Sequence, residues 1–176
     1  GSGCKGVGTA GPVYLTLPRE VMAQKMEGFR FSATAPAIPA PLHPDPESVR
    51  RIADALAAAR FPVIACTASG ADPSTVAMLV DIAARFGIGV IESRARNLNF
   101  PSSHPLHLGQ ALEPLMADID ALLILESDVP WFPHKAHPRP GAFIAQAGTD
   151  PLFARYPLRS FRSDVTVPAS IAAVYQ

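Results

Sequence analysis

Short, almost wholly apolar runs alternate along this chain with stretches whose apolar positions recur every three or four residues. Residues 63–66 (VIAC), 89–92 (GVIE), 121–125 (ALLIL) and 142–146 (AFIAQ) form the runs, and 165–167 add a shorter one. Runs this short, without polar alternation, suit strands buried on both faces of a parallel sheet. Between them lie helix signals. Asp45-Pro46-Glu47 opens one helix: the Asp45 carboxylate can accept free N–H groups of the first turn, and Pro46 sits where a missing N–H costs nothing. Val49, Ile52, Ala53 and Leu56 give that helix one apolar face, and Pro62 ends it. Asp72-Pro73 repeats the start signal, with Val76, Leu79, Val80 and Ala83 as the stripe and Gly87 as the stop. A third helix is expected near 110–117, and a last one begins at 170–175. Strands alternating with helices predict an α/β doubly wound parallel sheet of five to six strands with helices on both faces, Rossmann-like.

The first part of the chain reads differently. Glycines at positions 1, 3 and 6 spell G-x-G-x-x-G, but no strand precedes them and Thr9-Ala10-Gly11-Pro12 follows. The start is therefore expected to be flexible, with Gly1, Ser2 and Gly3 resembling the scar of an expression tag. Residues 13–17 are β-prone. Residues 26–44 carry small residues and repeated prolines, as an extended linker does. This divides the chain into 1–25, a linker at 26–44, and an α/β domain at 45–176. The 19 prolines cluster at 36–46, 101–105 and 130–140, so they mark connections rather than element interiors.

Charge narrows the partners. Fifteen basic residues balance fifteen acidic ones, and the pI is near 7.1, so no basic surplus draws in nucleic acid or anionic lipid. No apolar stretch approaches the roughly 20 residues that span a bilayer. No signal segment opens the chain, which makes a cytoplasmic location the expectation. Cys4 and Cys66 do not amount to a disulfide framework, and Cys66 reads as a small buried hydrophobe.

Right-handed crossovers gather the loops after the strands at one edge, where such sheets bind ligands. Three loops qualify: 67–72, 127–131 and 148–150. Thr67, Ala68, Ser69 and Gly70 could cradle a phosphate on backbone N–H groups, or form a plain strand-to-helix turn, and Asp72 would compete for the same donors. Ser127 and Asp128 start the second loop. Asp150 could hydrogen-bond ribose hydroxyls, or cap a turn before Pro151. Glu92 and Glu126 close buried strands at this edge and are read as caps of neighbouring loops. His104, His107, His134 and His137 have crude zinc spacing but sit in proline-broken segments, so no metal site is expected. No G-x-S-x-G surrounds Ser69, and no cation adjoins Cys66, so no nucleophile is expected. The stiff segment DVPWFP, 128–133, suits the wall of a pocket or an interface, the interface being the expected use.

These motifs resemble the thiamine-diphosphate-dependent enzymes of the acetolactate synthase-like group. GPVYLTLPREV (11–21) resembles the last strand of that group's N-terminal pyrimidine-binding domain. NFPSSHPLHLG (99–109), ESDVPWFP (126–133) and GTDPLFARYPLRSF (148–161) resemble, in order, segments of its middle domain, which has a fold of the DHS-like NAD/FAD-binding type. The resemblance implies an excised central domain whose partners are the two missing domains of a parent that is itself a homo-oligomer. It implies that the parent, a transferase or lyase, cleaves or joins C–C bonds of 2-keto acids. Thiamine diphosphate and Mg²⁺ would then belong to the complete parent, since the activating glutamate and the Gly-Asp-Gly…Asn motif lie in the other domains. No Gly-Asp-Gly occurs in these 176 residues, so the chain alone is expected to be structural and not catalytic.

Middle domains of this group bind FAD, bind ADP, or only pack subunits together. Where the FAD-holding relatives carry a Gly-Ala-Arg-Phe-Asp-Asp-Arg-like stretch, this chain reads Ser127-Asp128-Val129-Pro130-Trp131-Phe132-Pro133. The arginines are gone, although Thr67–Gly70 and Gly148–Asp150 remain where the adenosine of FAD or ADP could lie. Two other readings compete. A stand-alone dinucleotide-binding module would need G-x-G-x-x-G between a strand and a helix. A sirtuin-like NAD-consuming enzyme would carry a zinc ribbon of paired Cys-x-x-Cys, which two isolated cysteines exclude.

Overall fold

The apolar runs become strands because neither of their faces meets water. The computed structural model describes residues 14–28, 30, 40–153 and 161–176. Two compact units appear, Gly1–Ala40 and Pro41–Gln176. In the second, β1 (Pro62–Cys66), β2 (Gly89–Ile91), β3 (Ala121–Leu125), β4 (Phe143–Gly148) and β5 (Val165–Pro168) form one sheet in the order β2-β1-β3-β4-β5, every pair parallel. β1 and β3 are buried at every position, as the unbroken apolar runs require.

The first unit departs from expectation. Residues 14–17 form no strand, and Val13 lies outside the described residues. A strand needs a neighbour for its N–H and C=O groups, and none pairs with this stretch among the described residues. A short helix, α1 (Arg19–Met22), follows and buries no residue.

In the second unit, α2 (Pro46–Ala58) starts as the sequence predicts. Asp45 accepts the backbone N–H of Ser48 at 2.9 Å and its hydroxyl at 2.8 Å. α3 (Ser74–Phe86) ends on Gly87 at φ 66°, a left-handed geometry that a glycine adopts without strain. α4 (Ile171–Val174) closes the chain. These helices cover one face of the sheet, over Ile64, Cys66, Val90, Leu123, Leu125 and Ala145. A cavity of about 390 Å³ remains on this side, lined by Ile52, Leu56, Ile64, Ile82, Leu123 and Val174 among others.

The other face is covered differently from the expectation. The helix predicted at 110–117 shrinks to a 3₁₀ turn at Glu113–Leu115. Pro114 has no N–H to donate, and Gly109 just upstream sits at φ 97°, so an α-helix cannot propagate. Leu112, Met116, Ile119 and Trp131 instead pack individually on Val63, Ala65, Ile91, Leu122, Ile124 and Ile144. Trp131 is thus a core residue, 4% exposed, with its ring edge-to-face against Phe161 at 5.0 Å. The interface use expected of it is not what the fold makes of it: without a helix on this face, a large ring is needed to fill the space. Among the described residues no helix is long and apolar enough to cross a membrane.

This packing has a direct test. Trp131→Ala lowers the unfolding free energy by about 3–5 kcal/mol in urea melts. A loss below about 1 kcal/mol would place the ring outside the core.

Candidate functional site

A parallel sheet ordered 2-1-3-4-5 reverses its winding between β1 and β3, and the crevice outside their carboxyl ends is the expected ligand position. The loops after β1 and β3 flank it. The structure brings Thr67, Ser69, Gly70 and Asp128 to this crevice, where all four contact the segment that follows β2.

That segment runs across the mouth like a strap. The Arg96 backbone N–H donates to the Thr67 carbonyl at 2.8 Å, and its guanidinium bonds Asp128 Oδ2 at 2.6 Å. Asn99, which the sequence reading did not single out, fills the turn itself. Its Oδ1 accepts the Gly70 N–H at 2.9 Å and the Ser69 hydroxyl at 3.1 Å. Its Nδ2 donates to the Thr67 carbonyl at 3.3 Å and to the Asn97 carbonyl at 2.8 Å. The donors proposed to cradle a phosphate are therefore engaged by a neutral side chain of the same protein. The approach is close: a Cβ on Gly70 would lie 1.9 Å from the Leu98 carbonyl oxygen. Ala68 is half-buried, and the Thr67 hydroxyl donates to the Ser93 carbonyl at 2.8 Å. Asp72 acts two residues before the start of α3, accepting the Ser74 N–H at 3.0 Å and hydroxyl at 2.8 Å.

Glu92 holds the strap from beneath and is the loop cap that the sequence suggested. Its Oε1 accepts the backbone N–H groups of Asn99 at 2.9 Å and Phe100 at 3.3 Å, and the Asn99 amide at 3.2 Å. Its Oε2 lies 3.2 Å from His107 Nε2. Burial alone would push this carboxyl up, but the hydrogen bonds from Asn99, His107 and Phe100 outweigh it and hold the group below the usual carboxylate range. His107 reaches Glu92 because 106–109 runs alongside β2: the Leu108 N–H donates to the Val90 carbonyl at 2.8 Å. The alternation Leu106-His107-Leu108 was the available signal for this extended segment.

Glu126, with φ 49°, caps the next loop by accepting the Thr149 N–H at 2.8 Å. Burial pushes its carboxyl up; the Thr149 hydrogen bonds oppose this, and the nearby Asp150 charge adds to it. Gly148 makes room for it, since a Cβ there would meet Glu126 Cδ at 2.9 Å. Asp150 is half-buried and its carbonyl accepts the Phe153 N–H at 3.0 Å, closing a turn. Residues 154–160 of the third family-like segment lie outside the described residues. Ser127 is buried beside the crevice. For Asp128, burial is outweighed by the Arg96 charge and by the Val129 N–H, which lower its pKa.

Cys66 is a free, buried thiol, pushed up to about 12 chiefly by burial, with Ser69 opposing and Glu92 adding to the shift. A thiol held protonated in this way is a poor nucleophile. His104 Nδ1 accepts the Leu106 N–H at 3.2 Å, and its ring packs edge-on to Phe100 at 4.8 Å. Among the described residues no three His, Cys, Asp or Glu side chains converge as metal ligands would.

Two substitutions test the strap. Asn99→Ala strands the Gly70 N–H and removes the hub, and should cost about 2–4 kcal/mol in stability. Glu92→Gln should cost about 2 kcal/mol at pH 7. Because the folded carboxyl is lowered, its contribution is present above the ordinary value of 4.5 and is lost as the pH falls through the lowered one. The stability gap between the two proteins in urea melts should therefore shrink as the pH falls below 4.5 and close once the pH is below the lowered value; a gap unchanged across that fall would show that charge is not the cause.

No family model matches the chain. A sulfoacetaldehyde acetyltransferase from Castellaniella defragrans is 33% identical over 125 residues, 65% of this chain and 20% of that protein. The chain therefore spans about a fifth of the curated relative it matches. A putative thiamin diphosphate-dependent enzyme from Mycobacterium smegmatis superposes with a TM-score of 0.65 at 18% identity, covering 81% of this chain and 29% of that one. A benzoylformate decarboxylase from Polynucleobacter necessarius gives a TM-score of 0.68 at 18% identity, covering 84% and 29%. The chain is thus similar in sequence to part of a sulfoacetaldehyde acetyltransferase, and it shares the fold of a segment of a putative thiamin diphosphate-dependent enzyme and of a benzoylformate decarboxylase.

Proposed function

We propose that the chain is the central domain of a longer acetolactate synthase-like enzyme, in which it serves as a structural spacer rather than a source of catalytic groups. The observation that carries this reading is the filled crevice: Asn99 takes the Ser69 hydroxyl and the Gly70 N–H at the place where a doubly wound sheet would receive a ligand. FAD or ADP seated on that turn would first have to displace Asn99 and the Arg96–Asp128 pair. In the parent, thiamine diphosphate with Mg²⁺ would be held by flanking domains and would supply the carbanion for making or breaking C–C bonds of 2-keto acids. A cytoplasmic, homo-oligomeric parent is part of the same proposal. The exposed Tyr14, Leu15 and Leu17 of the first unit support cover by a further domain.

The experiment has two arms. With thiamine diphosphate, Mg²⁺ and pyruvate, the chain alone should release no CO₂ above background; turnover would end the structural reading. Riboflavin and adenosine, which carry no phosphate, should leave its melting temperature unchanged. Either one binding the folded state at about 100 times its dissociation constant would raise the melting temperature by roughly 5 °C or more, and would restore the nucleotide reading.

A further inference from the structure

A second cleft, of about 340 Å³, is lined by residues of the loops that follow β2 and β3, and Asn99 is not among them. Ser93 and Arg94 from the loop after β2, Gln110 and Glu113 from the 3₁₀ segment, and Phe132 and Lys135 from the loop after β3 line it. Among the described residues, cations elsewhere on the protein divide into those that pair with a carboxylate and those, such as Arg51 and Arg60, that do not. Arg50, Arg85, Arg96 and Arg162 each pair with a carboxylate. Arg94 and Lys135 form no ion pair among the described residues, yet both are gathered onto one ring. The Arg94 Cζ lies 5.0 Å from the Phe132 centroid and the Lys135 Nζ 5.1 Å from it. The ring quadrupole attracts each cation, but two like charges gathered at one ring also repel each other, a cost that an anion held in the cleft they both line reduces. Arg94 is held there at φ 48°, a backbone geometry that a residue with a Cβ seldom adopts.

We propose that this cleft is an oxyanion site, which takes the phosphate group of a small phosphorylated molecule or inorganic phosphate itself. Arg94 offers a planar fork of donors that matches two oxygens of such a group, and Lys135 adds a compact charge. The Ser93 hydroxyl and the Gln110 amide supply neutral donors from the rim. The volume is at the small end for ligand sites and suits a compact anion. Glu113 is the one carboxylate in the lining and works against the anion, so it limits affinity. The inference does not depend on the structural role proposed above, because it concerns a different set of residues.

The test is calorimetric titration of the 176-residue chain with sodium phosphate and with glycerol 3-phosphate, ionic strength being held constant with sodium chloride. Saturable binding is expected. Arg94→Gln and Lys135→Gln should each weaken it by roughly tenfold or more, the range for loss of a charge-assisted hydrogen bond. Glu113→Gln should tighten it, and Arg51→Gln, on the exposed side of α2, should leave it unchanged. Both cations are exposed, so thermal melts of the variants should match the parent chain and exclude misfolding as the cause. Tighter binding of the ester assigns the site to phosphorylated molecules, and equal binding assigns it to the free anion. Heats no larger than those of chloride alone, or binding retained in the Arg94→Gln/Lys135→Gln double variant, would overturn the proposal.

Discussion

Five parallel strands that stop at one edge leave their last backbone groups, and the loops that leave them, in need of partners away from water. That constraint organises this protein. It is met chiefly by carboxylates and one amide. Asp120 ties the opposite edge, accepting the Arg60 and Phe61 N–H groups at 2.9 Å each. At the carboxyl edge Glu92, Glu126 and Asp128 each accept a backbone N–H, and Asn99 joins the loops after β1 and β2. Each of these side chains replaces the water that a loop on an open surface would use.

Meeting that constraint decides what the sheet can do. In a doubly wound fold the crevice at the winding reversal is open because the loops on either side splay apart. Here Arg96 and Asn99 draw them together, and the polar groups that might face a ligand face the protein. The chemistry left available at this edge is displaced sideways, to the cleft around Phe132, where two cations remain exposed.

Much of the fold was legible because its signals are local. Asp45-Pro46 and Gly87 mark helix ends through the backbone groups beside them, and the apolar runs at 62–66 and 121–125 announce strands with no wet face. Glu92 and Glu126 were readable as loop caps from their positions at strand ends. The failures share a different cause. The 3₁₀ turn at Glu113–Leu115 carries a helical apolar spacing that Pro114 prevents from propagating, and the segment around Trp131 read as part of an interface because its flanking prolines describe stiffness, not direction. Asn99 gave no local sign at all.

By itself, then, the sequence determined the class of fold, the boundaries of the long elements and the resemblance to a family, since each follows from periodicity, capping chemistry or contiguous motifs. Only the tertiary structure decided which loop fills the crevice and which cations stay unpaired. Asn99 meets Gly70 from 29 positions away, and Arg96 meets Asp128 from 32. Contacts over such separations are set by how the β2 crossover returns across β1, a geometry that exists only once the strands have assembled in the order 2-1-3.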